Sequence, residues 1–210
     1  MNGIIFDLDG VIVFTDILHY KAWKCVADKL NIPFDEEINH RLRGVSRAES
    51  FEIILEKAVS QPTEAEKARF LDEKNSLYCE FLKTLTPDSI EDSTRATLRE
   101  LRKRGYKLAI GSSSRNSATI LKYTALTDYF DAVSDGNNIT NSKPHPEVFN
   151  KAAEYLKLSP NICAVVEDAE AGIDAAKAGG FYAIGIGTAA NYSKTDRGIE
   201  SLTDLLNIFN

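Results

Sequence analysis

Ile4-Ile5-Phe6-Asp7-Leu8-Asp9-Gly10-Val11 carries an apolar run directly into two carboxylates, two residues apart, and a glycine. β-Branched and aromatic residues favour the extended chain, so residues 3 to 7 read as a first strand that breaks at Gly10. Side chains alternate between the faces of a strand. A turn just after Asp7 nevertheless brings Asp7 and Asp9 to one cavity at the strand's carboxyl end, where open α/β sheets bind ligands.

Outward from that stretch, Thr15-Asp16 offers an N-cap for a helix with Leu18, Ala22, Val26 and Leu30 on its apolar positions, ended at Asn31-Ile32-Pro33. From about 35 to 85 only helical periodicity is found: Phe51, Ile54, Leu55 and Ala58, then Phe70, Leu71, Tyr78, Phe81, Leu82 and Leu85. Thr86-Pro87-Asp88 marks the boundary that closes this helical stretch. Beyond it strands and helices alternate. Strands are expected at Lys107 to Gly111, Ala132 to Ser134, Cys163 to Glu167 and Tyr182 to Gly187, with helices near 93–103, from 116, and near 146–157, 170–178 and 201–208. This is an α/β chain with a parallel sheet and right-handed crossovers. Residues 1–14 and 88–210 form the sheet-bearing core, and 15–87 form an all-helical domain inserted after the first strand.

A chain of 210 residues with 43% hydrophobic content buries a full core with room for such an insertion. The net charge of −6 argues against nucleic-acid and anionic-membrane binding, which rest on basic surfaces. No apolar segment approaches the roughly 20 residues of a membrane span, and no signal peptide is read at the N-terminus. A cytoplasmic monomer acting on a small molecule is expected. Cys25, Cys79 and Cys163 are far apart without CxxC spacing, and each is read as a small buried apolar residue.

Reactive residues stand at four strand ends or the loops after them: Asp7 and Asp9; Ser112-Ser113-Ser114-Arg115-Asn116; Lys143; and Glu167-Asp168. Parallel strand ends converge. Carboxylates gathered there repel one another, and an oxygen-only cluster suits a hard cation such as Mg²⁺. The serine-rich turn between a strand and a helix puts hydroxyls and unpaired backbone N–H groups in the same mouth, an anion site. Cation, lysine and helix N-terminus match the needs of phosphoryl transfer, where stabilising charge on the equatorial oxygens is the main task.

Asp7-Leu8-Asp9-Gly10-Val11, Ser112, Lys143-Pro144 and Glu167-Asp168 with Ala171-Gly172 resemble, in order along the whole chain, the four motifs of the haloacid dehalogenase (HAD) superfamily. The resemblance implies a Rossmannoid core with a helical cap after the first strand. It implies Asp7 as the nucleophile that becomes an aspartyl phosphate and Asp9 as general acid and base. Ser112 and Lys143 hold the phosphoryl oxygens, and Mg²⁺ is held by Asp7, Asp168, Glu167 and the carbonyl of Asp9.

Within that superfamily Thr15, His19, Trp23, Arg43-Gly44-Val45-Ser46-Arg47, Ser113, Ser114-Arg115-Asn116 and Lys143-Pro144-His145-Pro146 resemble the β-phosphoglucomutase branch. The resemblance implies that His19 contacts Asp9 and the hinge at Thr15, and that Arg47, Ser114, Arg115 and Asn116 hold the phosphate that is not transferred. Arg43 and Arg115 stand where that pattern has lysine, and Phe14 where it has an acidic residue. The activity implied is interconversion of β-D-glucose 1-phosphate and glucose 6-phosphate through a bisphosphate. A sugar-phosphate phosphatase of the same fold and a non-catalytic sugar-phosphate binder are the rivals. Plainer uses exist for single residues: His19 and Trp23 as interface side chains, Arg43 and Arg47 in a solvated turn, the serines as helix caps, Lys143 as a loop lysine.

Overall fold

The computed structural model describes residues 1–42 and 45–210. Arg43 and Gly44, both expected at the site, lie outside the described residues. The chain opens with β1 (Gly3–Phe6), followed by α1 (Asp16–Lys29), α2 (Glu36–His40), α3 (Arg47–Leu55) and α4 (Glu64–Leu82). Then come α5 (Asp92–Lys103), β2 (Lys107–Gly111), α6 (Ser117–Tyr123), β3 (Ala132–Ser134), α7 (Glu147–Leu156) and β4 (Cys163–Glu167). α8 (Glu170–Ala178), β5 (Tyr182–Ile186), β6 (Arg197–Ile199) and α9 (Leu205–Ile208) complete it.

The six strands form one sheet in the order β3-β2-β1-β4-β5-β6, every neighbour parallel. Both faces are covered, as a parallel sheet requires. Ile4, Phe6, Leu108, Ile110, Ala164 and Val166 pack into one apolar cluster, while the intervening Ile5, Ala109, Cys163 and Val165 pack into a second on the opposite face. Each fully buried Ile or Val contributes about 1.5–3 kcal/mol, which makes these near-continuous apolar strands the anchor of the core. Strand order reverses between β1 and β4, and such reversals open a crevice at the carboxyl ends of an α/β sheet. Asp7 and Glu167-Asp168 sit at that reversal.

The helical stretch has a cluster of its own, in which Trp23, Val26, Ile32, Phe51, Ile54 and Phe70 meet. α1 and α4 also reach the sheet side: Leu18, Ala22, Tyr78 and Leu82 belong to the main core. Capping boxes at Ser46 and Thr63 start α3 and α4.

Several expectations are corrected. β1 ends at Phe6, so Asp7 is the first residue beyond the strand, although its amide still donates to the Val166 carbonyl at 2.9 Å. β5 ends at Ile186, one residue early. The edge strand β6 was unforeseen: Arg and Gly are poor strand formers, and three residues carry no period. Of the cysteines only Cys163 is buried, with Cys79 half-buried and Cys25 exposed. Among the described residues no helix is long and apolar enough to cross a membrane.

Candidate active site

The turn after β1 is set by Gly10. Its φ of +90° is the left-handed region open to glycine, and an added Cβ would lie 2.3 Å from Oδ2 of Asp168. The Val13 amide donates to the Leu8 carbonyl and the Gly10 amide to the Val13 carbonyl, closing a tight loop with Asp7 at one end and Asp9 at its tip.

Lys143 arrives from the loop before α7, its peptide to Pro144 being cis. Its ammonium, 1% exposed, donates to both Oδ1 of Asp7 and Oε1 of Glu167. Burial alone would lower the Lys143 pKa, but the two carboxylates outweigh it and keep the group charged. Burial also drives the Asp7 carboxyl well up, Lys143 opposes, and Glu167, Asp168 and Asp9 push upward with it. Glu167 is held further by the Ala169 amide, which donates to Oε2 at 3.0 Å, and by Gly172, where a Cβ would lie 1.9 Å from its Cδ. With both oxygens engaged, Glu167 serves as the partner that orients Lys143.

This end of the cavity fits a hard divalent cation by the chemistry of its donors. Four carboxylates face one ammonium, all the donors are oxygen, and each neighbouring carboxylate disfavours the ionised form of Asp7. Among the described residues no three His, Cys, Asp or Glu side chains are already gathered as a ready-made shell. Asp7, Asp168 and the Asp9 carbonyl are the groups that would hold the ion.

A cleft of about 510 Å³ runs from Asp7, Asp9, Ser112, Lys143 and Asp168 to the helical segment, where His19, Trp23, Val45, Ser46 and Arg47 line it. Ser113, Ser114, Arg115 and Asn116 form its side wall. The amides of Ser114 and Asn116 donate to the hydroxyls of Ser112 (3.1 Å) and Ser114 (3.2 Å). The expected unpaired N–H groups of this turn are therefore satisfied at those two positions, since a serine hydroxyl reaches its own turn more readily than the cleft. Asn116 ties core to cap: its Nδ2 donates to Oδ1 of Asn75 at 3.1 Å, and Sγ of Cys79 lies 3.5 Å from its Oδ1.

Thr15 stands at the N-cap of α1, yet its side chain makes no capping bond. It donates instead to Oδ1 of Asp9. Burial raises the Asp9 pKa, this hydrogen bond opposes, and Asp16 adds to the rise. His19 meets the hinge through its backbone, its amide donating to the Thr15 carbonyl at 3.0 Å. Its Nδ1 lies 2.8 Å from Nζ of Lys74, and its ring stacks on Tyr78 at 4.0 Å. Burial first, then the charges of Lys74 and Arg47, push the His19 pKa well below its usual value.

Lys74 is the residue that sequence reasoning missed. It is 3% exposed, with its ammonium over the rings of Tyr78 (4.6 Å) and Trp23 (5.1 Å). Burial, aided by the charge of Arg47, brings its pKa to about 7. A signal was present: Lys74 falls on the apolar stripe Phe70, Leu71, Tyr78 of α4, where a charge has no place without a partner. Gly136, Ile139 and Thr140 also line the cleft unforeseen. Thr15 and Glu167 stand behind the lining.

A sequence profile described as haloacid dehalogenase-like hydrolase matches residues 1–180. The chain is 40% identical to a β-phosphoglucomutase of Bacillus subtilis, covering 98% of this chain and 92% of that protein. It is 31% identical to a phosphorylated carbohydrates phosphatase of Thermotoga maritima, covering 86% and 82%. Among solved structures, a β-phosphoglucomutase from Clostridium difficile superimposes with a TM-score of 0.91 at 36% identity, covering 98% of this chain and 93% of that one.

Proposed function

This chain belongs to the haloacid dehalogenase-like hydrolase family, and from that membership we propose that it is a cytoplasmic, Mg²⁺-dependent mutase interconverting β-D-glucose 1-phosphate and glucose 6-phosphate. One observation carries the reading beyond the family. The cleft has two ends suited to phosphate, Lys143 with Ser112 beside Asp7, and Arg47 with Ser114, Arg115 and Asn116. The charges of Arg47 and Arg115 lie close enough that Arg115 depresses the Arg47 pKa, after burial. A phosphate between them relieves that repulsion. A mutase needs two such sites, because its bisphosphate intermediate presents either end to the nucleophile.

Asp7 attacks phosphorus and becomes an aspartyl phosphate while Ser112 and Lys143 hold the oxygens of the transferring group. Asp9, with its raised pKa, gives the proton to the leaving sugar oxygen and later takes one from the attacking hydroxyl. Asp7, Asp168 and the Asp9 carbonyl would hold Mg²⁺, which would offset charge on the phosphoryl group. Residues 15–87 act as a cap that brings Arg47 and Trp23 over the sugar and excludes water.

The phosphatase of Thermotoga maritima among the relatives favours one alternative, in which water takes the phosphoryl group. A coupled assay with Mg²⁺ and a trace of β-glucose 1,6-bisphosphate separates the two. Glucose 6-phosphate formed from β-glucose 1-phosphate supports the mutase, and phosphate release without glucose 6-phosphate overturns it.

A further inference from the structure

Leu71, Asn75 and Cys79 follow one another at intervals of four along α4, a spacing that sets them on one side of the helix. Leu71 and Asn75 line the cleft. The Leu71 carbonyl accepts from Nη1 of Arg47 at 3.3 Å, and in an α-helix it is also the acceptor for the Asn75 amide. Beyond it on the same side, Oδ1 of Asn75 accepts from Nδ2 of Asn116 at 3.1 Å, and the Cys79 thiol donates to Oδ1 of Asn116. Asn75 therefore stands between Arg47 and Asn116, two of the groups read as the distal phosphate site. A carboxamide offers an anion either an oxygen, which repels it, or N–H groups, which attract it. In Asn116 the oxygen receives the Cys79 thiol and one N–H goes to Asn75, so the second N–H is what the group has left to offer. Turning the amide over would set its oxygen against Oδ1 of Asn75, two acceptors with no hydrogen between them.

We propose that Asn75 is a positioning residue for the distal phosphate, its side-chain oxygen holding the Asn116 amide with the N–H edge towards the anion that Arg47 and Arg115 attract. The inference rests on the reading of Arg47, Ser114, Arg115 and Asn116 as the site of the phosphate that is not transferred. Asn75 also joins two parts of that site that come from different elements. Arg47 is fastened to α4 through the Leu71 carbonyl, while Asn116 belongs to the loop before α6 and reaches α4 through Asn75. A phosphate held by both meets donors whose spacing is set by one helix face, and an amide fixed before the ligand arrives loses less freedom on binding. No covalent bond changes, and Asn75 acts through Asn116.

Asn75→Leu keeps the bulk of the side chain and removes its oxygen. Binding of β-glucose 1,6-bisphosphate is measured on Asp7→Asn protein, in which no phosphoryl group moves, through the fluorescence of Trp23, the single tryptophan and a residue of the cleft wall. Adding Asn75→Leu should raise the Kd about tenfold, the factor that one hydrogen bond to a charged group makes in an equilibrium. In the otherwise unaltered enzyme the same change should raise KM with kcat held within about twofold. Asn75→Ala, with less bulk, should give the same shifts. A link that only fastens α4 to the loop lowers the melting temperature and leaves Kd and KM as in the parent, and that result overturns the proposal. Asn116→Ala supplies the second measurement. Once Asn116 has no amide, adding Asn75→Leu should cost no further affinity, and losses that multiply would also overturn it. A parent that does not bind the bisphosphate overturns the distal site and the role of Asn75 together, whereas a parent that binds it no more tightly than the Asn75 variants overturns the role of Asn75 alone. Product analysis decides between sugar and water as acceptor separately, since the binding measurement involves no turnover.

Discussion

Nζ of Lys143 and Oδ1 of Asp7 are joined across 136 residues of sequence, the lysine bridging on to Glu167 with both partners buried. The two ends of this bridge respond differently to replacement. Lys143→Met leaves two buried carboxylates without their cation, a change that costs about 3–5 kcal/mol. Thermal unfolding should show a large drop in melting temperature together with lost turnover. Asp7→Asn leaves Lys143 paired with Glu167, so the melting temperature should hold while turnover falls by at least about 10³-fold. Retained activity in Asp7→Asn would exclude it as nucleophile.

The proposed distal phosphate site carries a different kinetic signature. Arg47 and Arg115 line the cleft away from Asp7 and would hold their phosphate alike in ground and transition states. Either residue changed to Ala should raise KM for glucose 1-phosphate about 10- to 100-fold, the worth of one charged hydrogen bond, with kcat little altered. A fall in kcat at unchanged KM would place these arginines elsewhere in the mechanism.

Lys74 predicts a stability profile. Its folded pKa is about 7, against about 10.4 in the unfolded chain. Between those values the unfolded state holds a proton that the folded state lacks, so this group makes stability rise with pH from about 7 to about 10. Lys74→Met removes the effect. Relative to the parent, the variant's melting temperature should be most favourable below pH 7, and the advantage should shrink towards pH 10. A difference that is flat with pH would mean that Lys74 titrates normally.

Gly172 carries a steric prediction. A Cβ there would stand 1.9 Å from Cδ of Glu167, and Glu167 is fixed by Lys143 and the Ala169 amide. Gly172→Ala should destabilise by about 1–3 kcal/mol through overpacking and lower kcat by displacing Lys143, both measurable on one preparation by denaturation and assay. Unchanged kcat would show that Glu167 does not set the position of Lys143.

Much of this is legible along the chain. The core strands β2, β3 and β4 fall where apolar runs between turn residues place them, and Asp7, Ser112, Lys143 and Asp168 line one cleft because strand ends of a parallel sheet must converge. The inserted helices show their period, although three helices follow α1 where two segments were read. The short edge strand Arg197–Ile199 escapes notice because its pairing with β5, rather than its composition, makes it a strand.

What the sequence by itself determines is therefore the α/β class and the reactive side chains at the strand ends, since both are written in local period and spacing. Only the tertiary structure decides which polar groups meet. Thr15 occupies a helix N-cap but turns its hydroxyl to Asp9. Lys74 meets His19 from 55 residues away, and Glu167 meets Lys143 with one carboxylate oxygen while the other accepts from the Ala169 amide. The reason is physical. A buried polar group must find a partner in three dimensions, and which partner it finds depends on how helices and strands pack, a relation that no stretch of sequence contains on its own.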